Sequence, residues 1–315
     1  MKLYIDNCMI EAKVGQSLRE MITELGLERA ALSARPLAAK IAGEVFTLNY
    51  IPVRTKEAEG ERQSMRRAMA ASKGEVHLLR YSDGAGRDVY KRTSQFVMFL
   101  ALRQLWPTAV AKMTCKIGSG ILINVTGAED FSAQKLKERV RQLVQKDIPL
   151  IRRRVPLQDA VAHFEADGLT DKVRLLKWRS ADYFDEYVYD DFADYYYGEM
   201  MPSTGYLQNW DIHSAESGFI FVYPDDQNPD RVAPYRDSPN FFHVFTEGER
   251  WCELMECETV ADLNNLVQTN RIRELIRVNE ALHEKRYAQV ADEICERGAK
   301  AVMLAGPSSS GKTTS

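Results

Sequence analysis

The residues whose types and spacing most plainly suggest chemistry form one run, Gly306-Pro307-Ser308-Ser309-Ser310-Gly311-Lys312-Thr313. Gly, four spacers, Gly, Lys and Thr is the pattern of a loop that wraps phosphate. Glycines let backbone N–H groups turn inward around an anion. In such a loop Gly306, Ser308, Ser309, Ser310, Gly311 and Thr314 form the cradle. Lys312 reaches the β- and γ-phosphates of ATP and serves as the catalytic cation, and the Thr313 hydroxyl holds Mg²⁺. A strand must enter the loop and a helix must leave it, and Ala301-Val302-Met303-Leu304-Ala305 reads as that strand. The sheet around such a strand is parallel and buried on both faces. Here Ser315 stands two residues past Thr313, with no Asp for Mg²⁺, no general base and no lid arginines after it. Residues 299–315 are therefore expected to be the start of a truncated phosphoryl-transfer domain. The 315-residue chain alone is expected to have no turnover and to hold neither ATP nor Mg²⁺.

Other chemistry-bearing residues are less patterned. Cysteines 8, 115, 252, 257 and 295 are scattered, and Cys252 and Cys257 stand five apart with no paired ligands nearby. That suits reduced thiols in a cytoplasmic protein better than disulfides or zinc. Histidines 77, 163, 213, 243 and 283 show no metal-ligand spacing. Arg152-Arg153-Arg154 reads either as a phosphate or RNA contact or as exposed charge on a sheet edge. Asp182 to Tyr197 carries six tyrosines and five aspartates. It reads either as a base-stacking, ribose-binding surface or as a strand pair with rings inward and carboxylates in water. Arg66-Arg67 belongs to a polar insertion near 56–73.

The elements that must position these groups follow from periodicity. Residues 2–14 read as two strands turning at Asp6-Asn7, and Ser17 with Glu20 is a capping box for a helix through Leu25. A hairpin turning at Gly43 and a strand over Val76–Tyr81 complete a sheet packed on one helix. Further helices are expected over 88–106, 132–146, 157–168 and 171–178. Strands are expected over 109–116, 120–126, 151–155, 206–212 and 218–223. Residues 240–298 read as helical, stopped by Gly298. The apolar fraction is 45%, ample for real cores, and the net charge of −3 offers no global field for nucleic acid or membrane. No apolar stretch approaches the roughly 18 residues of a membrane span.

Four short runs carry a resemblance. They are Gln104-Leu105-Trp106-Pro107, Lys146-Asp147-Ile148-Pro149, Asp171-Lys172-Val173-Arg174-Leu175-Leu176 and the Gly198…Pro202 turn. With them, residues 1–84 resemble a TGS domain, the ubiquitin-like (β-grasp) module that opens threonyl-tRNA synthetases. Residues 85–238 resemble the synthetase's second additional, editing domain. The order of parts, ending in the phosphate loop, resembles bacterial nucleoside kinases of the uridine kinase-like kind that carry a synthetase-like half. The resemblance implies an α+β chain: a β-grasp domain, an editing-like α+β domain, a helical linker over 239–298 and the first strand of a P-loop domain. It also implies the regulatory or ligand-binding portion of an ATP-dependent nucleoside kinase, with a nucleoside as the parent's substrate. The alternative is a module for tRNA, a nucleotide or another small ligand, derived from an editing domain and without hydrolytic activity.

The departures bear on that choice. The synthetase editing site uses H-x-x-x-H on its first helix, then a Cys and a His near the Gly-Pro turn. Alignment on the four runs puts Phe96, Leu100, Tyr196 and Met200 at those positions. Without imidazoles to hold a water or orient an ester, hydrolysis of a mischarged tRNA is not expected.

Overall fold

The computed structural model describes residues 1–53, 67–68, 71–236 and 244–306, and the backbone of 239–243. Most of the insertion expected near 56–73, including Arg66, lies outside the described residues. The chain is a mixed α+β protein that divides into two compact units, Met1–Gly168 with Arg179–Phe245, and Leu169–Trp178 with Thr246–Ser315. Among the described residues no helix is long and apolar enough to cross a membrane.

The first unit opens with strands β1 (Lys2–Ile5) and β2 (Cys8–Glu11), antiparallel across a tight turn. Asp6 and Asn7 both take positive φ there, 44° and 70°, as a two-residue hairpin turn requires. Helix α1 (Leu18–Glu24) starts at the expected capping box. The Glu20 amide donates to Ser17 Oγ at 3.3 Å, and the Ser17 amide donates to Glu20 Oε2 at 2.7 Å. Leu18, Met21 and Ile22 face inward. Strands β3 (Ala38–Ile41), β4 (Glu44–Phe46) and β5 (Glu75–Leu79) complete a five-stranded sheet in the order β2-β1-β5-β3-β4. Only β1 and β5 run parallel. Alternation along β1 buries Leu3 and Ile5 and exposes Lys2 and Tyr4, the pattern of a sheet with one covered face.

Helix α2 (Gly84–Leu105) is the long element of this unit, buried from Gly86 to Leu102 along one side. It meets the first sheet at Tyr90, whose ring is edge-on to Tyr81 at 5.1 Å. Strands β6 (Val110–Ile117) and β7 (Gly120–Thr126) pair as expected, and helix α3 (Ala133–Gln145) buries Leu136, Val140 and Leu143. Strand β8 (Arg152–Pro156) leads into helix α4 (Leu157–Ala166). Strands β9 (Tyr183–Tyr189) and β10 (Phe192–Tyr195) form a three-stranded sheet with β8 at one edge, order β10-β9-β8. Strands β11 (Asp211–Ala215) and β12 (Gly218–Val222) join β6 and β7 in the order β11-β12-β7-β6.

One strand begins later than its apolar pattern indicates. Of the residues expected over 206–212, only Asp211 and Ile212 fall in β11, and Tyr206 closes a 3₁₀ turn over 204–206 in which Thr204 Oγ1 donates to the Leu143 carbonyl and accepts from the Ile148 amide. Those bonds tie the chain to α3 before β11 can pair.

The second unit is helical: α5 (Thr170–Leu176), the C-terminal part of α6 (Pro239–Leu254), α7 (Val260–Gln268) and α8 (Ile272–Glu296). Arg174 of α5 pairs with Asp262 of α7, which also closes a capping box with Thr259. Gly298, at φ 58°, ends α8 as expected. The strand expected at 301–305 is not formed. These residues have no regular structure and Met303 is 95% exposed, so no neighbouring strand buries them.

Gly86 lets α2 approach the first sheet, since a Cβ there would overlap the Arg80 carbonyl, whereas Gly84 faces open space. Gly86→Ala is expected to lower the unfolding free energy by roughly 1–3 kcal/mol. Gly84→Ala is expected to be neutral or slightly stabilising. Urea melts of the two variants beside the parent check this pair.

Candidate functional site

Of the positions that resemblance assigns to a hydrolytic site, Phe96 and Tyr196 meet between α2 and the β8–β10 sheet, and Leu100 and Met200 belong to the same apolar core. A period of 3.6 residues puts Phe96 and Leu100 on one face of α2. Both are buried, at 0% and 1% exposure. The rings of Phe192, Tyr187 and Tyr196 stand 5.4, 6.2 and 6.3 Å from that of Phe96. Met200 is 1% exposed, and its amide donates to Tyr187 Oη at 3.1 Å. The Tyr196 hydroxyl is buried without a hydrogen-bond partner. The four side chains belong to the apolar core or pack against it, so they leave no wet, polar space in which a water could attack an ester.

Beside this closed cleft lies a charged network. Arg152, on β8, donates to Glu199 Oε1 at 2.8 Å and to Asp185 Oδ2 at 3.0 Å. Arg154 donates to both oxygens of Asp185 at 3.1 and 3.2 Å. Arg92 of α2 donates through Nε to the Glu199 carbonyl at 2.9 Å. Its guanidinium lies against Gly198, where a Cβ would meet Arg92 Cζ at 2.8 Å and φ is +126°; only glycine fits that turn. Tyr187 Oη donates to the Gly198 carbonyl at 3.3 Å and lies 3.5 Å from Glu199 Oε2. The β8–β9 register, Arg152↔Tyr187 and Arg154↔Asp185, places these groups on one face. Burial pushes the Glu199 carboxyl above its ordinary value; the charge and hydrogen bond of Arg152 oppose this without cancelling it. Burial also raises Asp185, but the hydrogen bond from Arg154 and the charge of Arg152 outweigh it and hold Asp185 low.

Two readings of the basic and acidic runs are corrected here. Arg152 and Arg154 are not free edge charges, because alternation turns both toward carboxylates of β9 and the 198–199 turn. Asp185 is not in water but is spent on those arginines. Arg153, one residue out of phase, is exposed. The Tyr/Asp stretch does form a strand pair with Phe184 and Tyr187 buried. Glu199 has no motif in the sequence. The available signal was the alternation Arg-x-Arg opposite Asp-x-Tyr, which allows cross-strand pairing but does not name the third partner.

The outer rim is aromatic and basic. The Arg154 guanidinium stacks over Tyr183 at 3.8 Å, with Arg179 5.7 Å from the same ring. Tyr197, 72% exposed, packs on Tyr195 of the other face, whose ring meets Phe164 and Phe184. On the opposite sheet face, His163 Nδ1 is 3.6 Å from Glu186 Oε2. Among the described residues no group of three or more His, Cys, Asp or Glu could hold a metal ion.

Of the phosphate-loop residues, only Gly306 is described, and it is exposed. Ser308, Ser309, Ser310, Gly311, Lys312, Thr313 and Thr314 lie outside the described residues, and with them the readings of ATP and Mg²⁺ binding.

No family model matches the chain. Among curated proteins it is similar to the threonine–tRNA ligase of Geobacter sp. (strain M21), 24% identical over 208 residues, which cover 65% of this chain and 29% of the ligase. It is 23% identical over 234 residues to that of Methylobacillus flagellatus, covering 71% and 33%. It is 29% identical over 139 residues to that of Carboxydothermus hydrogenoformans, covering 43% and 22%. The chain thus spans a third or less of the length of these relatives. Their likeness bears out the synthetase-like part of the sequence reading. It overturns the nucleoside-kinase reading: these relatives are aminoacyl-tRNA ligases, and none of them is a kinase.

Removing Arg152 leaves two carboxylates facing each other in a desolvated site. Arg152→Met is expected to cost about 3–5 kcal/mol, part of which Arg152→Met with Glu199→Gln recovers. Denaturant midpoints of the single and double variants test that order. The folded protein binds the Glu199 proton more tightly than the unfolded chain does. Its contribution to stability is therefore present below the unfolded value of 4.5 and is lost as pH rises through the raised native value. Glu199→Gln is expected to abolish that loss just above pH 4.5, read from urea midpoints across the window.

Proposed function

We propose that the first unit is an RNA-binding module derived from a threonine–tRNA ligase, with its hydrolytic cleft closed. In this reading residues 1–84 are a TGS-like β-grasp domain. The five-stranded sheet with one covering helix and a central parallel pair supports that assignment. Residues 85–238 are the counterpart of the editing domain, and residues 239–298 are a helical linker. The observation that carries the reading is the packing of Phe96, Leu100, Tyr196 and Met200. The positions that would do chemistry serve the core instead. Burying a histidine at Phe96 would demand hydrogen-bond partners that this aromatic cluster lacks.

The sheet edge at Tyr183 supplies a surface suited to single-stranded RNA: Tyr183 offers a ring face, while Arg154 and Arg179 beside it offer cations for backbone phosphates. Because Arg152 and most of Arg154 are neutralised by carboxylates, the expected affinity is modest and depends on few phosphates. The net charge of −3 agrees with that.

Two measurements test the proposal. In an electrophoretic shift assay, tRNA is expected to bind at low salt and to be released as salt rises. Arg179→Ala is expected to reduce the salt slope by about one. Absence of any shift at low salt refutes the binding module. Mischarged tRNA incubated with the protein is expected to deacylate no faster than in buffer. Faster loss of the amino acid would mean that the cleft still works.

A further inference from the structure

Helix α6 ends in a turn with two signature bonds. The Glu256 amide donates to the Glu253 carbonyl at 3.0 Å, and the Cys257 amide donates to the Cys252 carbonyl at 3.0 Å. Glu256 takes the left-handed conformation, φ 52°, that this Schellman arrangement needs. The same two bonds close α1, from Gly26 to Thr23 and from Leu27 to Ile22. They also close α8, from Gly298 to Cys295 and from Ala299 to Ile294. In this turn the outer bond brings two side chains face to face, and they are commonly an apolar pair. At α1 the pair is Ile22 and Leu27, and at α8 it is Ile294 and Ala299. At α6 the same two places hold thiols.

The Cys257-to-Cys252 backbone bond holds the two residues side by side at the helix end, and a disulfide spans Cα atoms ~4.4–6.8 Å apart. Both cysteines are free and half-buried, so a small reagent can reach them. Burial, then the charges of Asp262 and Cys252, raise the Cys257 thiol above its ordinary value. The influence of Cys252 is the electrostatic sign of two neighbouring sulfurs.

We propose that Cys252 and Cys257 are a reversible dithiol–disulfide pair, closed by a low-molecular-weight disulfide of the glutathione class. The Cys252 thiolate attacks one sulfur of the oxidant, forming a mixed disulfide and releasing one thiol. The Cys257 sulfur, giving up its proton, then attacks the Cys252 sulfur and displaces the second thiol. Two electrons and two protons pass from the pair to the oxidant, which leaves as two thiols. The new bond pins the turn that leads into the Thr259–Asp262 cap of α7 and its ion pair with Arg174. Oxidation state thereby sets how firmly α6 is joined to α7. The proposal is independent of RNA binding.

The test uses the full chain with oxidised glutathione, then alkylation with iodoacetamide and tryptic digestion without reductant. Both cysteines fall in one peptide, Trp251–Arg271. That peptide is expected to be unalkylated and lighter by two hydrogen atoms, and to take up two alkyl groups after dithiothreitol. Half-oxidation is expected at an oxidant concentration at least about tenfold lower in buffer than in urea, because the folded turn presents the sulfurs to each other. In Cys252→Ser, Cys257 is expected to carry glutathione or the alkyl group, with no loss of mass. A parent peptide alkylated twice, glutathione retained on either sulfur, a bridge to another cysteine, or equal oxidation in buffer and urea overturns the proposal.

Discussion

The packing around helix α2 is the constraint on which the rest of the first unit depends. Its buried side runs from Gly86 to Leu102. At one end Gly86 sits against the Arg80 backbone and Tyr90 against Tyr81; further along, Phe96 enters a ring cluster from β9 and β10. Each fully buried large side chain of this kind contributes about 1.5–3 kcal/mol. A helix used in this way presents apolar surface at Phe96 and Leu100. A histidine on that face would lack the polar partners its burial demands.

The charged network is the second consequence. A turn at Gly198 tight enough to receive Arg92 brings Glu199 to the end of β8, where Arg152 is waiting. Desolvation works against each member, and mutual pairing offsets it, which is why Glu199 is raised while Asp185 is lowered. The network neutralises most of a run that looks strongly basic on paper. What remains exposed is Arg153 on one sheet face and the stacked Arg154 and Tyr183 on the other.

The likeness to threonine–tRNA ligases is borne by alignments of 208 and 234 residues. The loop pattern is a short motif whose meaning depends on a sheet around it, and the 301–305 segment in front of it lies exposed without strand partners. A motif supplies residue types, but only neighbouring strands turn them into a binding site.

Much of the fold was legible because it is local. The Ser17–Glu20 capping box, the Asp6-Asn7 turn, the helix over 133–145 and the stop at Gly298 each follow from interactions among residues a few positions apart. The exceptions are long-range. Tyr206 leaves the strand pattern for a turn that the Thr204 hydroxyl fixes by bonding Leu143 and Ile148, some 60 positions away. Arg152 finds Glu199 across 47 residues. Sequence by itself determined the elements and their caps, since these depend on residue type and near neighbours. Which charges are spent and which remain exposed were decided only by tertiary structure, because burial and pairing depend on what distant segments bring to the same place.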